Sequence, residues 1–464
     1  MSILSPWFYF LLLFCIPIYY YLSQKKQISF LLFLSLAFYV YGFRPDNIVF
    51  ALYILFIYSL LTISKKFYKT NLFTLYRVFV IVLALLPLLV SKYGYLLHIR
   101  LNFSPLGVSF ITFMVVGFII DHLKGLSEKT KLDMTHFLFF SFFFPHVTSG
   151  PIARKKTIDD QIKNKKSLNP DTFYDSLRLI LLGIFQKFVI ANRIDIYVTQ
   201  VFSSPKSYFG FPLLFAVYLF SFQIYFDFLA YSNIAVGIAK LFGYDLGINF
   251  NHPYLATSIG NFWKRWHISL SSWLRDYIYI GLGGNRKGVI RTVLNVMITF
   301  AVSGLWHGST ALFLLWGLLN GALINMENVF AQTVRSIRLN RITARIIHFF
   351  KIVATFTLIS LLWLCFKAKD ITNIKFLLSS IFNKGYYLHS VQVILSDKDL
   401  LMNLELSVFL IIISMTLEIY REYFHKGEVH IHNFPINVII YTLYILLFLF
   451  LGVFGNQNFY YVRF

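Results

Sequence analysis

The sequence predicts an all-α polytopic membrane protein, with about ten to twelve embedded helices, including re-entrant and interfacial ones, around a central cavity or tunnel. Of its 464 residues, 58% are hydrophobic and only 13% are charged. Apolar runs recur from Trp7 to Val453, and many approach the roughly 20 residues that cross a hydrocarbon core about 30 Å thick. A soluble fold of this length would need far more polar surface. We therefore expect one membrane domain over residues 1–464.

The basic residues are the second observation that predicts a membrane protein. The net charge is +22, but the lysines and arginines stand in short clusters between apolar runs, such as Lys25–Lys26, Lys65–Lys66 and Lys163–Lys166. Such clusters are typical of juxtamembrane loops that face the lipid bilayer, so no nucleic acid is expected as a partner. The odd-numbered early loops are richer in Lys and Arg, which predicts that they are cytoplasmic and that the N-terminus lies outside.

The first third of the chain predicts five spans and a broken segment. The spans are predicted, in order, at residues 7–22, 28–43, 47–63, 73–97 and 106–120. The next apolar run, 137–144, is too short to cross a bilayer and is followed by Pro145 and by Gly150-Pro151. Broken backbone at membrane depth is tolerated where protein or a water-filled cavity covers it. We therefore expect a re-entrant hairpin that lines an interior cavity.

The rest of the chain predicts further spans on either side of a mixed segment. An amphipathic helix is predicted at 174–191, and spans are predicted at 211–240, at about 290–325 with a break, and at 345–366, 406–420 and 436–453. The first of these, residues 211–240, contains Asp227. We expect a structural role for that carboxylate, such as bonding a tyrosine. Residues 249–286 mix polar and aromatic side chains and predict no clean span.

His307 is the first candidate site residue. It stands in Ser303-Gly304-Leu305-Trp306-His307-Gly308, between two apolar stretches. An ionisable side chain at membrane depth is costly, so it indicates function unless a structural partner explains it. Two readings stay open here: a core histidine bonded to a backbone carbonyl, or a reactive imidazole that the flanking glycines leave open to close approach.

His267 is the second candidate, in a segment, Phe262–Tyr277, that mixes aromatic and charged residues at helical spacing. One reading is an interfacial helix. The other is a cavity wall, where His267 assists a reaction and Lys264, Arg265 and Arg275 bind an anionic group, such as the phosphates of a nucleotide-bearing donor.

A buried neutral imidazole suits acyl transfer. With an ordinary pKa of about 6.5, it can take a proton from a hydroxyl and return it to a leaving group. The sequence has no Gly-x-Ser-x-Gly elbow, Walker A loop, Cys-x-x-Cys pair or His-Glu-x-x-His motif. His430 and His432 form an isolated pair, so we expect no metal. Cys15 and Cys365 lie in apolar stretches, which excludes a disulfide framework.

Several stretches together resemble the bacterial branch of the membrane-bound O-acyltransferase (MBOAT) family, and in particular its alginate O-acetylation members. The stretches are Pro105–Phe110, Gly150–Arg154, Tyr225–Ser232, Phe262–Arg286, Gly304–Gly308 and Phe459–Phe464. The sequence departs from the family pattern at Asn233, Gly281 and Asn320, where an aspartate, a proline and a histidine are usual. The resemblance covers nearly the whole chain.

The resemblance implies a site and a reaction. His307 matches the presumed catalytic histidine of the family, and His267 matches the second family histidine. An acyl donor, usually acetyl-CoA, would enter from the cytoplasm. The acyl group would pass toward an extracytoplasmic polysaccharide or cell-wall glycan, often through a separate acyl-relay partner protein. The implied location is the bacterial inner (plasma) membrane.

Two alternatives stay open. A D-alanyl transferase acting on teichoic acids belongs to the same family, and a neighbouring carrier-protein and ligase gene pair would favour it. A glycan or lipid transporter is the alternative from another class, because polytopic folds with re-entrant helices also serve transport. Transporters often show inverted repeats, and no matching halves are apparent in this sequence.

Overall fold

The computed structural model describes most of the chain. The described residues are 3–41, 44–98, 103–126, 132–333, 340–382, 387–424, 434–454 and 459. In these residues every regular element is a helix. The α-helices are α1 Pro6–Tyr21, α2 Gln24–Val40, α3 Pro45–Phe67, α4 Phe73–Tyr93, α5 Val108–Lys124, α6 Met134–Phe142, α7 Lys155–Ile162, α8 Pro170–Phe185, α9 Asn192–Ser203, α10 Phe211–Leu241, α11 Ile259–Trp263, α12 Ile268–Leu274, α13 Val289–His307, α14 Ala311–Thr333, α15 Arg341–Leu362, α16 Leu364–Lys367, α17 Ile371–Ile381, α18 Tyr387–Ser396, α19 Lys398–Tyr423 and α20 Phe434–Leu451. Short π-helices follow α8 and α12, at Gln186–Ala191 and Arg275–Tyr279.

Seven stretches of helix in the described residues are long and apolar enough to cross a membrane. They correspond to α3, α4 with the short helical turn that follows it, α10, α13, α14, α15 with α16, and α19. Shorter apolar helices occur at Pro6–Tyr21, Ile371–Ile381 and Val438–Leu451. The predicted fold class, an all-α polytopic membrane protein, is confirmed. The external N-terminus stays a prediction.

The helix bounds agree with the predicted breaks. The interrupted span at 290–325 consists of α13 and α14, which are separated by Gly308, Ser309 and Thr310. Most of the short run at 137–144 lies in α6, which has nine residues, ends at Phe142 and is followed by turns. Residues 249–286 hold only short helices, as expected. Four helices, α7, α9, α17 and α18, lie outside the predicted ones.

The described chain divides into two compact units that interleave in sequence. The first comprises Met1–Ile180 and Ser232–Gly247, and the second Leu181–Tyr231 and Ile248–Phe464. This division leaves the prediction of one domain untested.

Within the first unit, buried polar side chains bond to the backbone. The Asn47 amide donates to the carbonyl oxygen of Tyr39 at 2.8 Å and accepts from the backbone N–H of Leu106 at 2.8 Å. The Tyr19 hydroxyl donates to the carbonyl oxygen of Phe242 at 2.9 Å. Such pairing is required where lipid replaces water as the solvent.

The second unit contains both candidate histidines. Its core is rich in aromatic side chains, including Trp266, Trp316 and Trp363, each about 1% exposed. Trp363 packs between the other two rings, tilted against Trp266 at a centroid distance of 5.1 Å and stacked on Trp316 at 5.9 Å. The candidate site lies against this core.

Candidate functional site

Glycines bring α13 and α14 close together beside His307. A Cβ on Gly304 would overlap the carbonyl oxygen of Phe313, and a Cβ on Gly317 would overlap that of Phe300. Small residues let two helix backbones approach closely in a membrane. The close contact fixes the C-terminal end of α13, where His307 is the last residue.

The His307 imidazole is buried among aromatic rings. The residue is 4% exposed. Its ring centroid lies 4.8 Å from that of Trp306, 5.1 Å from that of Trp316 and 5.3 Å from that of Phe366, in each case edge to face. The surroundings are therefore apolar and close-packed, which holds the ring in a defined orientation.

His267 joins α11 to α12 in an unusual backbone conformation. Its φ of +43° lies in the left-handed region, which is strained for a residue with a side chain. The residue is 1% exposed, and its ring meets that of Phe228 edge to face at 4.7 Å. Strain of about 1–3 kcal/mol persists only where the surrounding structure enforces it, and it is often found at functional sites.

The two predicted histidines converge on one tryptophan. The ring centroid of Trp306 lies 6.0 Å from that of His267 and 4.8 Å from that of His307. The sequence separates these histidines by 40 positions, and the fold brings them to the same side chain. This convergence supports the prediction that they serve one site.

A cavity of about 440 Å³ opens in the second unit beside this pair. Its walls carry two cationic side chains and several hydroxyls: Lys264, Ser271, Ser272, Arg275, Thr299 and Ser303. Ser303 precedes His307 by four residues, or about one helical turn of α13. Among the described residues, the cavity wall therefore comes within one turn of His307 but does not include it.

The three predicted donor-binding cations have different surroundings. Lys264 and Arg275 are exposed and line the cavity, and Arg275 Nε also donates to its neighbour Asp276 at 2.8 Å. Arg265 does not line it. Its Nη2 donates to Glu422 Oε1 at 3.0 Å, which indicates that Arg265 holds the fold.

Two side chains of α14 that sequence reasoning did not assign also build the site. Glu327 accepts from the first backbone N–H groups of α11, those of Ile259 at 2.5 Å and Gly260 at 3.0 Å. Asn320 accepts from Trp263 Nε1 at 3.0 Å and donates to the carbonyl oxygen of Trp316 at 2.9 Å. The asparagine thus fits the position where the family usually has histidine. A carboxylate in an apolar helix was the signal that could have identified Glu327.

Burial keeps the His267 imidazole neutral. It lowers the pKa of His267 to about 3, because no water can solvate the charged form. At physiological pH the ring is therefore an uncharged group that can accept or donate one proton.

The same burial predicts a pH-dependent stability. Since the folded state holds the pKa of His267 below its unfolded value, the contribution of the neutral ring is complete above pH 6.5 and is lost as pH falls toward 3. From pH 7 to pH 5 we expect a loss of about 2 kcal/mol from this residue. The midpoint of thermal unfolding in detergent should therefore fall less steeply with acid in His267→Gln than in the wild type. An equal fall of the unfolding midpoint with acid in both proteins would show that His267 is protonated as readily in the folded protein as in the unfolded one.

No group of three or more metal-binding side chains occurs in the described ranges. The isolated pair His430 and His432 lies outside those ranges, as does most of the C-terminal stretch Phe459–Phe464.

Comparison with known proteins bears on this site. The sequence profile of the family described as "MBOAT, membrane-bound O-acyltransferase family" matches residues 12–367, which include both histidines and every residue of the cavity wall.

Curated proteins of three kinds are similar to the chain. A probable alginate O-acetylase of Pseudomonas aeruginosa is 36% identical over 276 residues, covering 60% of this chain and 50% of the relative. A peptidoglycan O-acetyltransferase of Helicobacter pylori is 32% identical over 296 residues, covering 58% of this chain and 55% of the relative. A teichoic acid D-alanyltransferase of Bacillus subtilis is 31% identical over 268 residues, covering 54% of this chain and 68% of the relative. The chain spans about half the length of the alginate relatives that it matches.

Proposed function

Since this chain belongs to the membrane-bound O-acyltransferase family, we propose that it transfers an acetyl group from a cytoplasmic thioester to a hydroxyl of an extracytoplasmic polysaccharide or cell-wall glycan. The observation that carries the proposal is the convergence of His267 and His307 on Trp306, beside a cavity walled by Lys264 and Arg275. Relatives named for alginate and peptidoglycan O-acetylation support the acetyl group and the glycan acceptor.

His307 is the proposed general base. A ring nitrogen of His307 takes the proton from the acceptor hydroxyl as the oxygen attacks the thioester carbonyl. A C–O ester bond forms and the C–S bond breaks, and the imidazolium then returns the proton to the departing thiolate.

His267 has a supporting role in this proposal. Its pKa is depressed by burial, so it contributes a neutral hydrogen-bonding ring at the same tryptophan. A neutral donor near the carbonyl oxygen would stabilise the negative charge that develops there. We expect loss of His267 to reduce the rate in part, whereas loss of His307 removes the proton transfer.

The donor is proposed to be acetyl-CoA. The Lys264 and Arg275 side chains supply positive charge at the cavity wall, where phosphates of such a donor could bind through charge-assisted hydrogen bonds. The acceptor would approach from the opposite side of the bilayer, directly or through an extracytoplasmic acyl-relay protein. The inner bacterial membrane is the proposed location.

A direct assay distinguishes acetyl transfer from D-alanyl transfer, the alternative reaction within the family. Membrane vesicles that contain the protein are given radiolabelled acetyl-CoA or a D-alanyl thioester of a carrier protein, with glycan-bearing membranes of the same cells as acceptor. We expect label in alkali-labile glycan esters from acetyl-CoA and none from the D-alanyl donor. Label from the D-alanyl donor alone would assign teichoic acid alanylation, as in the Bacillus subtilis relative.

Neutralising the two cavity cations tests donor binding. In the double variant Lys264→Gln/Arg275→Gln, we expect KM for acetyl-CoA to rise about tenfold, since two exposed charge-assisted contacts are each worth about 1 kcal/mol or less after solvent screening. The value of kcat should change little, because neither side chain touches the histidines in our proposal. The matched control is Lys287→Gln, which removes an exposed lysine outside the cavity wall. An unchanged KM in the double variant would place the donor elsewhere.

A further inference from the structure

A buried carboxylate on α19 hydrogen-bonds one residue near the site and lies within ion-pair distance of another. Glu418 is 9% exposed. The Tyr225 hydroxyl of α10 donates to Glu418 Oε1 at 2.6 Å, and His252 Nδ1 lies 3.4 Å from Glu418 Oε2. Both carboxylate oxygens are thus turned to groups that come from distant parts of the sequence.

A second carboxylate stands one helical turn further along α19. Glu422 accepts from Arg265 at 3.0 Å. Residues four apart lie on one face of a helix, so Glu418 and Glu422 face the same way. Glu418 lies within ion-pair distance of His252, and Glu422 accepts from Arg265, which precedes His267 by two residues.

The segments held by these carboxylates are bonded to each other around His267. The backbone N–H of Asn251 donates to the carbonyl oxygen of Arg265, and that of Ile268 donates to the carbonyl oxygen of Asn249, each at 2.9 Å. The Asn249 side chain also accepts from the Ser269 hydroxyl at 2.9 Å. Residues 249–252 and 265–269 therefore form a paired loop, with hydrogen bonds on both sides of His267.

Both histidines of the paired loop have left-handed backbone. The φ of His252 is +46° and that of His267 is +43°. Each conformation is disfavoured for a residue with a Cβ, so the loop needs external contacts to keep it. The α19 carboxylates supply such contacts on both segments.

From this geometry we infer that Glu418 is a positioning residue, which holds the paired loop and thereby the His267 imidazole in place. The inference rests on the proposed function for its effect on rate. It extends the site to α19, beyond the segment that the family profile matches.

Ring packing transmits the position of the carboxylate to His267. The Tyr225 ring, held by Glu418, lies 5.7 Å from the Phe250 ring and 5.9 Å from the Trp266 ring. Phe250 contacts Phe228 at 5.1 Å, and Phe228 contacts His267 at 4.7 Å. Packed rings of this kind move together, since interiors leave little free volume.

Two conservative variants test the role. Tyr225→Phe removes the hydroxyl alone, and Glu418→Gln keeps an acceptor for Tyr225 while removing the charge near His252. In each variant we expect kcat for acyl transfer to fall about fivefold to tenfold, the size expected for one ordinary hydrogen bond, with KM for acetyl-CoA unchanged. The double variant should lose no more than the larger single loss, because both substitutions weaken one network.

Hydrogen exchange without substrate supplies the second readout. In both single variants, the amides of Asn251, Ile268 and Ser269 should exchange several times faster, with other helices unaffected. The matched control is Glu405→Gln, which removes an exposed carboxylate from the same helix and should alter neither measurement.

Unchanged exchange in the paired loop would overturn the inference, as would faster exchange with full kcat. A fall in rate accompanied by faster exchange throughout the protein would also overturn it, because it would indicate general destabilisation. If wild-type protein transfers no acyl group, the proposed function fails instead. The exchange result identifies that case, since it is measured without substrate.

Discussion

Replacing His307 by alanine is expected to lower kcat for acyl transfer by about 10²- to 10⁴-fold, the usual contribution of a general base. The imidazole is the proposed proton acceptor at the end of α13, and its neighbours Trp306, Trp316 and Phe366 have no group that could replace it. The measurement is the initial rate of labelled acetyl transfer in membrane vesicles, at equal amounts of protein.

A matched variant separates this loss from general damage. His348 is an exposed histidine of α15 that lies 2.9 Å from the Tyr423 hydroxyl, so His348→Ala should retain the wild-type rate. A small loss in His307→Ala, comparable with that in the control, would reject His307 as the base. His307→Gln, which keeps a polar side chain of similar size but cannot shuttle the proton, should be nearly as inactive as the alanine variant.

The largest effect on stability is expected at Asp227. Its Oδ1 accepts from Lys187 Nζ at 2.7 Å, and both side chains are 2% exposed. Lys187 Nζ also lies 4.9 Å from the ring of Phe459. Removing one member of a buried ion pair leaves an uncompensated charge, which costs about 3–5 kcal/mol. We therefore expect Asp227→Ala to lower the midpoint of thermal unfolding in detergent strongly.

The paired replacement is the control for that prediction. Lys187→Met/Asp227→Val removes both charges with side chains of similar size, and such exchanges of buried pairs are often neutral or stabilising. We expect the double variant to recover most of the stability that Asp227→Ala loses. A double variant as unstable as the single one would mean that the pair stabilises by more than charge compensation. The pair also supports the predicted structural role of Asp227.

The lengths of the apolar runs and the breaks between them were sufficient to predict an all-α membrane protein. The break between α13 and α14 follows from Gly308 between two apolar runs, and the absence of a span at 249–286 follows from polar residues among the aromatics. These features depend on neighbouring residues, which a single sequence shows directly. Local motifs also single out His267 and His307, and the structure places both rings beside Trp306.

Contacts between distant residues could not be predicted in the same way. Arg265 was expected to bind an anionic donor, but its guanidinium meets Glu422, which is 157 positions away. Glu418 and Tyr225 are separated by 193 positions, and nothing local to either identifies the other. The left-handed backbone of His267 is likewise enforced by its neighbours in space. The arrangement of the site therefore depends on tertiary packing.

The central claim is that a thioester and a glycan hydroxyl react at His307. The most direct test compares the acyl ester content of extracytoplasmic glycans in cells that lack the gene and carry either the wild-type chain or His307→Ala at equal membrane abundance. We expect esters to return with the wild-type chain and to stay at the level of the deletion with His307→Ala. Full restoration by His307→Ala, or no restoration by the wild type, would contradict the account.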